Sequence, residues 1–450
     1  MKRKLLRILL VLLLLLGVPL GLWRLYLARV IGRQLAVIRA VGLPTNGKEL
    51  NVWYPAVPDA QNAAFILTQA FALRRNYSDN RSNLIFNFKL PKRTEPFSPE
   101  SADLLQGYLA LNEPMLSKAA DALQLPASRY PIDYSQLMNT LLPHLTWLKN
   151  LAELHQYAAF LAMRAGNGSS TGSNIVAILG LARTLDNEPC LISQLVRLRL
   201  LKMAFETLER RANAGPFASA DIAGLASAFA QTRTTNIAMR ALIGERAMAL
   251  PYFHMTRAEA ATFYRPKEGA AARSDSPLPC YGPAILRVIG YYDLDYGSYL
   301  IGMNKAIERL HDPPPANLRA GGYLARVGEA STQRSRTLSG IFLSAYAGVA
   351  RRENEGLAMQ RLALMGLAIE NFANDARHFP KHLEELVPKF LPKVAEDPFD
   401  GSELKYRLME RGYVVYSVGP DLQDNGGLEP ARKKESDDKA SYDITFTVER

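Results

Sequence analysis

The side chains able to do chemistry are thinly spread along this chain of 450 residues. Glu245, beside Arg246, lies in a helical pattern whose apolar positions are Met239, Ile243, Ala247 and Leu250. A carboxylate on such a helix could serve as a general acid in an all-α cleft, and the plain alternative is a charged pair or rim residue. Tyr291, Tyr292, Tyr296 and Tyr299 could line a groove for a sugar or peptide, or simply pack helices together. Near the C-terminus, Asp421, Asp424, Asp437, Asp438 and Asp443 offer the hard oxygen ligands that calcium needs. Arg432, Lys433, Lys434 and Lys439 interrupt them and oppose a bound cation; the alternative is a solvated loop in which Asp421 caps a turn.

The remaining polar inventory narrows the chemistry. His144, His155, His254, His311, His378 and His382 form no ligand pair, which leaves them turn or surface roles. Cys190 and Cys280 exclude a four-cysteine metal site and permit at most one bridge, with free buried thiols as the alternative. No Walker loop, no Gly-x-Gly-x-x-Gly after a strand and no Gly-x-Ser-x-Gly elbow is present.

The charge balance bears on what must hold these residues. Lys and Arg number 54 against 43 Asp and Glu, a net +11. Eight of the basic residues (Lys2, Arg3, Lys4, Arg7, Arg24, Arg29, Arg33 and Arg39) fall in the first forty positions, which contain no acid. That leaves +3 for the other 410 residues, so the basic total is an anchor's signature and argues against nucleic acid. Ile8 to Trp23 is uncharged, and if Arg24 snorkels the apolar stretch 8–27 is long enough to cross a bilayer. Trp23 and Tyr26 would then lie at the headgroups. A cleaved signal peptide is the competing reading, but no small-x-small site follows the leucine run. The expectation is a single-pass signal anchor in a bacterial inner membrane, N-terminus inside and body in the periplasm, touching lipid through residues 8–27.

Beyond the anchor (1–40) the pattern predicts an α-helical domain over 41–335 and an α+β unit over 336–450. Val52 to Pro58 reads as an extended connector, and Asn83 to Phe88 as the one strand-like part of a polar stretch. Helices are expected at 59–75, 99–111, 143–165, 173–185, 188–212, 219–231 and 234–250, with Gly166 to Gly172 as a flexible turn. Further helices are expected over 284–310 and 337–376, separated from the preceding ones by a loop over 264–283. The paired helices resemble helical-hairpin stacks in general, without a repeat signature.

In the last unit a long helix leads to His378-Phe379-Pro380, then to the turn Asp397-Pro398-Phe399-Asp400-Gly401. Strands Leu404–Leu408 and Gly412–Val418 follow, then Gly419-Pro420-Asp421 and a third strand over 441–447. This order resembles the major pseudopilin of type II secretion systems (the protein G-like family) over roughly residues 340–445. The resemblance implies a long helix on a small antiparallel sheet and a calcium site in the acidic loop, which maps to Asp421, Asp438 and Asp443. The family's peptidase site is missing before this helix, so filament assembly by the usual route is not implied. The helical part looks like uncharacterised anchored proteins of planctomycete and verrucomicrobial bacteria, a likeness that brings no activity.

Three functions remain open on the sequence. The first is a membrane-anchored interaction or scaffold protein with envelope protein partners, favoured because no catalytic constellation is apparent. The second is an accessory component of a secretion or pilus-like assembly. The third is an envelope glycan hydrolase of all-α type using Glu245.

Overall fold

The computed structural model describes residues 2–88, 90–91, 93, 95, 98–254, 284–429 and 442–450. The expected loop 264–283, Cys280, Asp437 and Asp438, and the loop cations at 432–434 and 439, lie outside them.

Helix α1 (Lys2–Ala40) runs unbroken for 39 residues, passing through Pro19. Its stretch Leu14–Ala40 is long and apolar enough to cross a membrane, with a mean hydropathy of 1.5. The connector expected at 52–58 begins late, because Asn46 caps a short helix, α2 (Gly47–Trp53), by accepting the Glu49 N–H at 2.9 Å. After α3 (Ala63–Phe71), residues 81–86 form α4 (Arg81–Phe86) rather than a strand. The Asp79 carboxylate takes the Arg81 N–H at 2.9 Å and starts a helical turn there. Helices α5 (Pro99–Leu111) and α6 (Glu113–Leu123) each open with a proline in the first turn, as their sequences require.

The main hairpins are α7 (Pro143–Arg164), α8 (Gly168–Arg183), α9 (Leu191–Asn213), α10 (Ser219–Gln231) and α11 (Ile237–Ala249). The turn between α7 and α8 is shorter than its glycines and serines suggest. Asn167 accepts the Ser170 N–H at 2.9 Å, which brings Gly168 to Gly172 into the helix. The helix expected over 284–310 is two: α12 (Ala284–Val288) and α13 (Tyr291–Arg309). Gly290 divides them at φ +79°, where a Cβ would meet Arg24 and Leu27 of α1 at 2.8 Å.

Next comes α14 (Arg319–Gln333), followed by α15 (Thr337–Tyr346) and α16 (Val349–Ala376), which are separated at Ala347-Gly348. Strands β1 (Lys405–Leu408), β2 (Tyr413–Ser417) and β3 (Ile444–Val448) make one antiparallel sheet in the order β1-β2-β3. Tyr406 pairs with Val415, and Val415 with Phe446, which sets the register across all three.

Two cores organise this mostly helical chain. The larger joins α3, α5 to α10, the second half of α16 and the sheet, with Leu148, Leu200, Phe229, Leu362 and Val415 fully buried. The second joins the end of α1 to α11 and α13 to α15, through Ile38, Leu242, Tyr299, Met303 and Leu343. Helix α16 enters both: Val349 and Ala350 lie in the second core, Leu362 to Ile369 in the first. Gly366 lets the ring of Phe446 pack on the helix, since a Cβ there would sit 2.6 Å from it. The sheet unit is therefore continuous with the helical body.

Candidate functional site

Three of the helices that lack a capping side chain of their own begin against a buried acid from elsewhere in the chain. Glu245, on α11, accepts the Leu191 N–H at the start of α9 at 2.8 Å. Asp295, on α13, accepts the Leu338 and Ser339 N–H groups at the start of α15, both at 3.0 Å. Glu353, on α16, accepts the Ala238 N–H at the start of α11 at 2.7 Å. A carboxylate there satisfies N–H groups that have no partner inside the helix and meets the positive end of its dipole.

Glu245 is thus engaged on both oxygens. Oε1 also lies 3.7 Å from the Cys190 thiol, and Oε2 accepts the Tyr346 hydroxyl at 3.2 Å. Burial raises its carboxyl above the ordinary range, against the opposing effect of these donors. A raised carboxyl suits a general acid, but none of the three cavities described in the body is lined by Glu245. Arg246, its neighbour in sequence, turns elsewhere and donates to Asn304 Oδ1 at 2.8 Å. Cys190 is buried beside Glu245, and its suggested partner Cys280 is outside the described residues.

Three of the four tyrosines are core rather than groove, and Tyr291 is half-buried at its edge. Tyr292, Tyr296 and Tyr299 are buried, and Phe253 packs on the last two with ring centroids 5.3 and 5.2 Å apart. The surface role expected of the histidines fails at His144 and His155, both buried because they fall on the inward face of α7. Among the described residues, no group of three His, Cys, Asp or Glu side chains could hold a metal ion.

Asp421, Asp424 and Asp443 converge on the loop after β2. Asp443 is buried and accepts the N–H groups of Gly427 at 2.7 Å and Asn425 at 3.3 Å. Burial raises its carboxyl, and the negative charges of Asp424 and Asp421 add to that. Asp421 accepts the Gln423 N–H at 3.1 Å, and Asp424 accepts the Tyr416 hydroxyl at 3.1 Å with Lys405 Nζ 3.7 Å away. The described residues do not by themselves assemble a calcium site, and Asp438, the third residue of the expected set, is outside them. The Asp-Pro-Phe turn is held by buried Asp397, which accepts the Phe399 and Val418 N–H groups at 2.9 and 2.8 Å and the Ser417 hydroxyl at 2.9 Å.

The junction of α1 with the body is the feature that sequence spacing did not reveal. Arg24 forms an ion pair with Asp293 on α13, and Trp23 Nε1 donates to the Ile289 carbonyl at 3.1 Å. Ile38 is buried in the second core, Leu27 is buried beside Gly290, and Gln34 Oε1 accepts from Asn304 at 2.9 Å. The second half of α1 thus packs one face on the body. Elsewhere, an open groove of about 720 Å³ runs over α8 between α6 and α10. Gly172, Ala177 and Gly224 lie within it, and Arg183, Asp186 and Arg233 stand near one end.

No family model, curated protein or solved structure matches the chain. The pseudopilin resemblance therefore rests on its own motifs.

Proposed function

We propose that this chain is a membrane-anchored interaction protein whose body is held close against the outer face of a bacterial inner membrane. The observation that carries the reading is the double use of α1: long and apolar enough over Leu14–Ala40 to cross a membrane, while Ile31, Leu35 and Ile38 on one face pack on the body. Such a helix fixes the body's height and orientation. Trp23 lies at the level where an apolar span meets headgroups, and its bond to the Ile289 carbonyl brings exposed Val288 and Ile289 to the same height. The capping roles of Glu245, Asp295 and Glu353 give the buried acids a structural purpose, which supports interaction over glycan hydrolysis.

Two measurements test it. An alkaline phosphatase fused to Arg450 is expected to be active, with the chain resisting carbonate extraction; an inactive fusion reverses the orientation, and release by carbonate removes the anchor. The finer reading, an accessory part of a secretion or pilus-like assembly, is supported by the helix-on-sheet arrangement of α16 with β1 to β3. Mild-detergent pull-down of the full chain should then recover secretion-machinery components, and their absence counts against it. For the calcium reading at Asp421, Asp438 and Asp443, excess EGTA should lower the melting temperature of the full chain, and an unchanged temperature ends it.

A further inference from the structure

A second cavity, of about 280 Å³, opens where the ends of α3 and α7 meet the segment 130–132. Phe71, Tyr130 and Trp147 line it, with the Phe71 and Trp147 rings stacked 6.4 Å apart. Leu141, 83% exposed, stands at its rim. The lining holds no Lys, Arg, Asp or Glu, and its one ionisable nitrogen base is His144. The Thr68 hydroxyl, also in the lining, is already spent on the Ala64 carbonyl at 2.7 Å.

His144 is built into place. Its ring stacks on Tyr130 with centroids 4.1 Å apart, and the side chain is almost wholly buried. Glu188 lies behind it, completely buried, with Oε1 2.8 Å from Nε2 but off the hydrogen-bond direction. Neither oxygen of Glu188 receives a hydrogen bond from the protein. A buried carboxylate left this way is costly, and each such group calls for an explanation. With Nε2 turned toward this carboxylate, Nδ1 is the ring nitrogen left to meet a ligand. Among the described residues Nδ1 has no hydrogen-bond partner, and the ring borders the cavity.

We propose that this cavity binds a small, uncharged, planar aromatic molecule through a hydroxyl group that donates to His144 Nδ1. The aromatic walls select a flat ring system, and the volume suits one of two fused rings. The missing lining charges select against an ionised ligand. Unlike the anchor reading, this assignment does not depend on a membrane.

The test is a fluorine NMR titration of the full chain in micelles with 6-fluoro-2-naphthol and its methyl ether, each corrected against empty micelles. The naphthol is expected to bind saturably and about tenfold tighter than the ether, the worth of one hydrogen bond in a dry site. His144→Phe should abolish that preference. Ala72→Trp, at an exposed position in the lining, should fill the mouth and remove binding of both compounds without disturbing the core. Equal affinity for the two compounds, absence of binding, or a preference that survives His144→Phe overturns the proposal. If His144→Phe does not fold, Ala72→Trp decides: naphthol binding that persists in it is equally fatal.

Discussion

If the second half of α1 is core, removing the membrane span alone should be harmless and removing the whole helix should not. Two truncations separate these, one starting at Trp23 and one at Val41; both lack the leucine-rich stretch 8–22 and can be compared in one buffer. The longer form keeps Leu27 and Ile38, at 5% and 1% exposure, and the half-buried Ile31 and Leu35 against α13. Full burial of such side chains stabilises by about 2 kcal/mol each and half-burial by about 1, so the shorter form loses about 6 kcal/mol. The Arg24–Asp293 pair adds little, because Arg24 remains partly in solvent. Against a total stability of about 5–15 kcal/mol this is a large fraction. At about 1 °C per kcal/mol for a chain of this length, the shorter form should melt about 7 °C lower by differential scanning fluorimetry. Leu27→Ala and Ile38→Ala in the longer form should each cost about 2–4 kcal/mol. Two truncations that melt together, within about 2 °C, would refute the claim that α1 belongs to the core.

Other expectations follow from particular contacts. Gly244→Ala puts a methyl 1.6 Å from the Pro189 carbonyl oxygen and should destabilise by about 3 kcal/mol in urea unfolding, whereas Gly224→Ala meets nothing within 4 Å and should stabilise by about 1 kcal/mol. Glu245→Ala strips the start of α9 of its acceptor and should cost about 2 kcal/mol, seen as a lower urea midpoint with an unchanged m-value. Burial raises the carboxyls of Glu209, Asp295 and Glu353, Glu209 to about 7. The folded chain therefore holds these protons more tightly than the unfolded chain, and stability should fall as pH rises from the ordinary carboxylate range to about 7. Glu209→Gln should flatten that slope when urea midpoints are compared across the window; an unchanged slope would remove Glu209 as its source.

Local signals were legible where the structure is local. Proline in the first turn of α5 and α6, the turn at Asp397-Pro398 and the β-branched and aromatic run of β2 all fall within a few residues of what they determine. The helix breaks at Gly290 and Gly348 were not legible, since the first is set by α1 arriving from more than 250 residues away. Helix α14 is obscured by its composition: Gly321 and Gly328 weaken any propensity argument, yet they let α15 approach, with Ala347 O and Ser344 Oγ each 2.4 Å from where a Cβ would sit. The acids told least. Glu245, Asp295 and Glu353 cap helices to which they do not belong, and no spacing rule joins a cap to a helix starting 43 to 115 residues away. The same holds for His144 and Glu188, which only the fold brings together.

With α1 spanning a bilayer as proposed, its attachment to the second core would make the body a lever. Bilayers of different thickness impose different tilts on a span of fixed length, typically about 20°. Because Gln34 and Ile38 are fastened to the second core, a tilt that enters α1 would be passed on to the sheet at the far end of α16. Pro19, where one helical hydrogen bond is missing, is the position at which such a tilt can be absorbed. Replacing it with leucine would couple the body's orientation more stiffly to the thickness of the membrane that carries it.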